Sequence, residues 1–189
     1  MVGEMIYKFF DTVKKFIDQI KADINEENLN ELINAIQGAK RIFVMGAGRS
    51  GFVAKAFAMR LMHLGYNVYV VGETVTPRID KEDVLIAISG SGETTSVVNI
   101  SKKAKEMIGS KLVAITGNPN SSLAQMSDVV VLIKGKLKNE TNEELSQIAP
   151  LGTMFELMSL IFLDGLVAEL MRIKNLSEKD LAERHAVLE

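Results

Sequence analysis

The chain has 189 residues, 47% of them hydrophobic, a formal net charge of −2 and no cysteine. That length and apolar share suffice for one sizeable core, and the interspersed charges leave no nucleic-acid or membrane-surface footprint. The lack of thiols removes disulfide frameworks and thiolate chemistry and fits a cytoplasmic location.

The opening stretch, MVGEMIYKFFDTVKKF, carries acids and no clean apolar run, so it does not read as a signal peptide. Ile6, Phe9, Phe10, Val13, Phe16, Ile17 and Ile20 recur at helical spacing and predict a first amphipathic helix. A second is predicted over 28–37. Alternating units follow: strand 41–45, helix 50–64, strand 67–71, strand 84–88, helix 95–107, strand 111–115, a short helix after Pro119, and strand 129–133. Five apolar strands separated by crossovers predict an α/β fold, a single doubly wound domain with a five-stranded parallel sheet and helices on both faces. That domain would run over 1–189, with N-terminal helices in 1–40, the sheet core in 41–134 and C-terminal helices in 151–189. The connection 72–83 is short and irregular for a crossover. Residues 134–150 are polar, and Thr141-x-x-Glu144 fits a capping box. A long helix over 152–173 and a short one after Ser177 close the pattern. The long helix is apolar but interrupted by Glu156, Asp164 and Glu169, so it reads as buried, not as a membrane span. Met59, Met62, Met154, Met158 and Met171 read as core filling.

Two turns carry chemistry. After the strand 84–88 come Ser89, Gly90, Ser91, Gly92, Glu93 and Thr94, with a helix beginning at Thr94 or Thr95. Glycines at a strand-to-helix turn let the backbone approach a ligand, and a helix N-terminus offers N–H donors and partial positive charge. Ser89, Ser91, Thr94 and Thr95 add hydroxyls, and the turn contains no Lys or Arg. Dipoles and hydroxyls would therefore hold an anion such as a phosphate monoester. The same pattern also fits an ordinary turn with a Ser/Thr N-cap.

The first sheet strand runs into Gly46-Ala47-Gly48-Arg49-Ser50-Gly51. This matches the GxGxxG fingerprint, and Glu73 stands where a ribose-binding acid would sit, so an NAD-type dehydrogenase is one alternative. Its phosphate turn, however, does not include a second hydroxyl-rich turn. One small ligand bridged by Gly48, Arg49 and Ser50 and by the 89–95 turn accounts for both. Walker-type GK[ST] is absent.

The run MGAGRSGFVAKAFAMRLMHLG, then ISGSGET, then ITGNPNSSLAQMSDVVV resembles the sugar isomerase (SIS) domain over roughly 30–170. Within it, APLGTMFE (149–156) and ERHAVLE (183–189) resemble 6-phospho-3-hexuloisomerase. The resemblance implies a flavodoxin-like strand order and interconversion of D-arabino-hex-3-ulose 6-phosphate and D-fructose 6-phosphate, without cofactor or metal. It further implies a homo-oligomer, dimer or tetramer, with active sites near subunit interfaces, and functional pairing with a 3-hexulose-6-phosphate synthase. A non-catalytic phosphosugar-binding regulatory domain and another aldose–ketose isomerase are the alternatives.

Moving a carbonyl between neighbouring carbons requires proton removal from carbon, an enediol, and proton return. Read alone, Thr153-x-x-Glu156 is a capping-box pattern; the resemblance makes Glu156 the candidate base. It likewise makes His185 a second catalytic candidate, to open the ring or move protons between oxygens, possible even from a neighbouring subunit. A solvated tail is the other reading of His185. His63 reads as helix packing, Arg49 as a phosphate or hydroxyl partner or a solvent-facing charge, and Glu93 as a cap or an orienter of its loop.

Overall fold

A computed structural model of the chain describes residues 3–135 and 142–188. Two helices lead, α1 (Glu4–Asp23) and α2 (Glu26–Gly38), the second capped by Asn25, whose side chain accepts from Asn28 N at 3.0 Å. The sheet elements follow: β1 (Ile42–Gly46), α3 (Arg49–His63), β2 (Val68–Val70), β3 (Val84–Ser89), α4 (Thr95–Lys102), β4 (Lys111–Thr116), α5 (Ser122–Met126) and β5 (Val129–Leu132). Three helices close the chain: α6 (Asn142–Ile148), α7 (Thr153–Ile173) and α8 (Glu178–Ala182).

All four strand pairings are parallel, in the order β2-β1-β3-β4-β5. The doubly wound α/β architecture expected from the sequence is therefore present. Strand period sets the two faces. Ile42, Val44, Val84, Ile86, Ile88, Val113 and Ile115 point to a core completed by α1, α2, α3 and α7. The alternate residues Phe43, Met45, Leu85, Ala87, Leu112 and Ala114 meet Val97, Leu123 and Ala104 on the other face. Both faces are buried, which is why these strands read as continuous apolar runs.

Several expectations are adjusted. The predicted helix over 95–107 is α-helical only to Lys102 and continues as a π-helical turn over Lys103–Ile108. Both the N–H and the hydroxyl of Ser110 donate to the Ala104 carbonyl, at 3.2 and 3.1 Å, drawing it out of the regular ladder. The β2 strand is two residues shorter than the predicted 67–71 and stays half-buried at the sheet edge. The connection 72–83 is irregular, as expected, and is tied down by buried Asp83, which accepts from Arg41 Nε and Nη2 at 3.0 and 2.7 Å. Met154 and Met158 fill the core, but Met59 and Met62 lie on the solvent side of α3, beside exposed Phe52. On α1, Phe16 is buried while Ile6, Tyr7, Phe10 and Ile17 are exposed. The Thr141-x-x-Glu144 reading lies outside the described residues. No helix among the described residues is long and apolar enough to cross a membrane.

Candidate functional site

Parallel strands deliver every strand-to-helix turn to one sheet edge, and the glycine turns after β1 and β3 face the same crevice because β1 and β3 are neighbours. The crevice is an open cleft of about 930 Å³, lined by Ser50, Gly90, Ser91, Thr94 and Glu156 among the residues singled out from sequence. Gly117, Asn118, Lys134 and Phe155 also line it and were not singled out. The signal for two of them was present: ITGNPN follows β4 in the same strand-to-turn pattern, which the sequence reading used only as part of the resemblance.

The turn after β3 is built from its own hydroxyls. Ser89 is buried, and its Oγ accepts from Gly92 N at 3.2 Å and lies 3.2 Å from Thr94 Oγ1. Gly92 has φ +66°, and a Cβ there would stand 2.0 Å from Ser121 Oγ, so only glycine fits. Ser91 is exposed, with Oγ accepting from Glu93 N at 3.2 Å. Thr94 occupies the N-cap of α4 without a side-chain capping bond, which leaves its hydroxyl to Ser89 and the cleft. Glu93 points away toward α5, where its carboxylate accepts from Ser122 N and Ser122 Oγ, both at 2.7 Å. Those two bonds hold the Glu93 carboxyl below the usual carboxylate range. Of the two sequence readings, the loop orienter is the one realised. Ser89 and Glu93 thus shape the turn, and Ser91 and Thr94 face the cleft.

In the turn after β1, Gly48 takes φ +57° at the N-cap of α3, and Ser50 is buried against the cleft. Arg49, largely exposed, reaches across to form an ion pair through Nε with Glu156. Glu156 stands in the first turn of α7, its side chain only 13% exposed. It is no capping-box residue: the N-cap is Gly152, Glu156 N donates to Gly152 O at 3.2 Å, and Thr153 Oγ1 donates to Pro150 O at 2.6 Å. The capping alternative is thereby overturned, because helix α7 starts one residue earlier than that box requires. Phe155, buried, sets where Glu156 stands. Cβ atoms added at Gly90 and Gly135 would lie 3.0 and 3.1 Å from Phe155, and one at Gly117 3.7 Å from it. Backbone from the ends of β3 and β4 thus packs on the ring, and that from the end of β5 on the Phe155 Cβ and main chain, beside the carboxylate.

The histidines lie elsewhere. His63, buried at the C-terminal end of α3, stacks on His185 with ring centroids 5.2 Å apart and 24° between planes. Arg184 Nη1 donates to the His63 carbonyl at 3.2 Å. The fifteen residues of α3 span roughly 22 Å, at about 1.5 Å per residue, from the Arg49 end at the cleft to His63. His185 therefore does not join Glu156 in the cleft of its own chain, which corrects a reading that groups them in one subunit; His63 packs, as expected. Glu73, the ribose-acid candidate, forms an ion pair with Lys55 at 2.6 Å. No group of three or more metal-ligating side chains occurs among the described residues.

Residues 35–156 match the SIS domain family. The chain belongs to that family. It is 66% identical over 182 residues to an uncharacterized protein of Archaeoglobus fulgidus, covering 96% of this chain and 99% of the relative. It is 40% identical over 168 residues to the 3-hexulose-6-phosphate isomerase of Bacillus subtilis, covering 89% and 90%. A crystal structure from Methanococcus jannaschii, for which a molecular function of 3-hexulose-6-phosphate isomerase was inferred, superposes with a TM-score of 0.84. It shares 40% identity and covers 95% of this chain and 98% of that one. The SIS fold expected from the sequence motifs is thus the fold present.

Proposed function

We propose that this SIS protein interconverts D-arabino-hex-3-ulose 6-phosphate and D-fructose 6-phosphate. The named relatives support a phosphosugar isomerase. The observation that carries the finer reading is Glu156: a carboxylate at the same cleft as Ser91 and Thr94, anchored by Arg49 and a buried Phe155. The phosphate would lie on the turn after β3, held by the Ser91 and Thr94 hydroxyls and the start of α4. Glu156 takes the proton from C2 of the hex-3-ulose; the C–H electrons form the C2–C3 double bond, and the carbonyl oxygen on C3 gains the charge. The O2 hydroxyl proton passes to O3, which becomes a hydroxyl and leaves the charge on O2; Glu156 then returns its proton to C3 as the O2 electrons form the new C2 carbonyl. Substrate and product are isomers, so the reaction is balanced without an external oxidant or reductant. In this reading His185 acts, if at all, at the cleft of a second copy in a homo-oligomer.

The test is turnover in deuterated water. Fructose 6-phosphate should acquire deuterium at C3 only with protein present, and the hex-3-ulose phosphate should be consumed. Tight binding of the phosphosugar without exchange would overturn the enzymatic reading in favour of a sensor, and stabilisation by NAD instead would overturn the phosphosugar reading.

A further inference from the structure

We infer that Lys134 supplies the cation that meets the negative oxygen of the enediolate formed opposite Glu156. This rests on the isomerase reading above. Among the described residues lining the cleft, Lys134 is the one cation; Arg49 is engaged with Glu156 from its edge, and the phosphate turn contains none. Lys134 stands two residues past the end of β5, and its Nζ donates to Asp23 Oδ2, at the end of α1, at 2.8 Å. An ammonium has three donors, so the Asp23 bond leaves two for a ligand. The side chain is 39% exposed, which leaves it accessible from the cleft.

Position within the sheet decides which part of the ligand it meets. The phosphate turn ends β3, and β4 lies between β3 and β5. At about 4.8 Å per strand spacing, the phosphate turn and Lys134 are roughly 10 Å apart along the sheet edge. Gly135, next to Lys134, and Gly90, within the phosphate turn, are both pressed on Phe155, the neighbour of Glu156. A sugar phosphate anchored on the β3 turn thus extends its carbon chain toward Lys134 and Glu156 together. When Glu156 removes the proton, the C–H electrons become the carbon–carbon double bond and the carbonyl electrons move onto oxygen. The Lys134 ammonium donates a hydrogen bond to that oxygen; the proton of the neighbouring hydroxyl then passes to it, and the electrons left on the neighbouring oxygen form the new carbonyl as Glu156 reprotonates the carbon that bore the first one.

Lys134→Met keeps the stem and removes the charge. Its kcat should fall about a hundredfold or more, as when one oxyanion donor is lost, with KM for fructose 6-phosphate changed less than about threefold. Lys134→Arg should recover part of the rate. Asp23→Asn breaks the same ion pair but keeps the ammonium, so it should share the stability loss of Lys134→Met while retaining at least about a tenth of the wild-type kcat. A raised KM with kcat intact in Lys134→Met would overturn the assignment in favour of ground-state binding. Equal losses of kcat in Lys134→Met and Asp23→Asn would reduce the pair to a staple between α1 and β5. Wild-type protein without turnover would overturn the isomerase reading itself, and this one with it; active wild type with active Lys134→Met overturns this one alone.

Discussion

Replacing Glu156 by Gln separates the chemistry of this position from its structural cost. Three quantities set that cost. The Glu156 side chain is 13% exposed, its partner Arg49 is 63% exposed, and neither the N-cap nor a capping box of α7 depends on it. An ion pair with one partner so exposed is worth about 0–1 kcal/mol, and the amide still accepts a hydrogen bond from Arg49. For a chain of this size, that corresponds to a fall in Tm of at most about 4 °C. The catalytic cost is larger. An amide cannot accept a proton from carbon, and losing a general base costs about 10²–10⁴ in rate. At about 1.4 kcal/mol per decade, that is roughly 3–5 kcal/mol on the barrier, several times the structural loss. The assay pairs melting with deuterium incorporation at C3 of fructose 6-phosphate. Glu156→Gln should melt within a few degrees of wild type, still be stabilised by fructose 6-phosphate, and exchange at least a hundredfold more slowly. Exchange near the wild-type rate would refute Glu156 as the base, and a collapse of Tm with the activity would refute the claim that its role is chemical.

Thr94→Ala should raise KM severalfold with Tm nearly unchanged, whereas Ser89→Ala removes the buried acceptor of Gly92 N and should cost about 1–2 kcal/mol in a melting curve. Gly92→Ala must place a Cβ against Ser121 Oγ at φ +66°, so it should lower Tm by several degrees; an unchanged Tm would mean the turn adjusts freely. The Glu93 carboxyl is held below its usual value by Ser122, so its contribution is present above the unfolded carboxyl value near pH 4.3 and fades as pH drops through the lowered folded value. The Tm difference between wild type and Glu93→Gln should therefore stay constant from pH 7 to 5 and shrink below about pH 4. Mixing refolded Glu156→Gln and His185→Ala subunits should restore activity if His185 serves a neighbour's cleft, and light scattering that shows a fully active monomer would exclude that role.

The sheet was legible because its strands are buried on both faces: runs such as Val84 to Ile88 leave no polar position to blur their ends. Both glycine turns were legible for the same reason, since strand ends fix where they begin. Elements held by long-range contacts were not. The π-helical turn depends on Ser110 taking the Ala104 carbonyl, which propensity does not encode. The irregularity of 72–83 was legible, but not the Arg41–Asp83 pair that ties it down, brought together across 42 positions. The candidate site divides likewise. Hydroxyls in a turn announce themselves, but which ones face outward does not: Ser89 and Ser91 look alike in sequence, and only the fold turns one inward and the other to the cleft. Phe155 and Lys134 carried no signal, since a buried Phe and a Lys after a strand are commonplace until Gly90, Gly117 and Gly135 are seen to converge on one residue, Phe155.

That convergence also explains how an open cleft holds a base in register. Turns at strand ends carry little packing of their own, and a carboxylate in the first turn of a helix would drift with that helix. Here the glycine backbones after β3, β4 and β5 close on Phe155, so the phosphate turn, the Lys134 segment and the start of α7 share one buried contact. Displacement of any of the three must displace Phe155 and with it Glu156, because a core packed to crystal-like density has little slack to absorb the shift. His63 and His185 lie at the far end of α3, about 22 Å along that helix from the cleft, so in the proposed reaction any contribution of His185 is made at the cleft of a second copy.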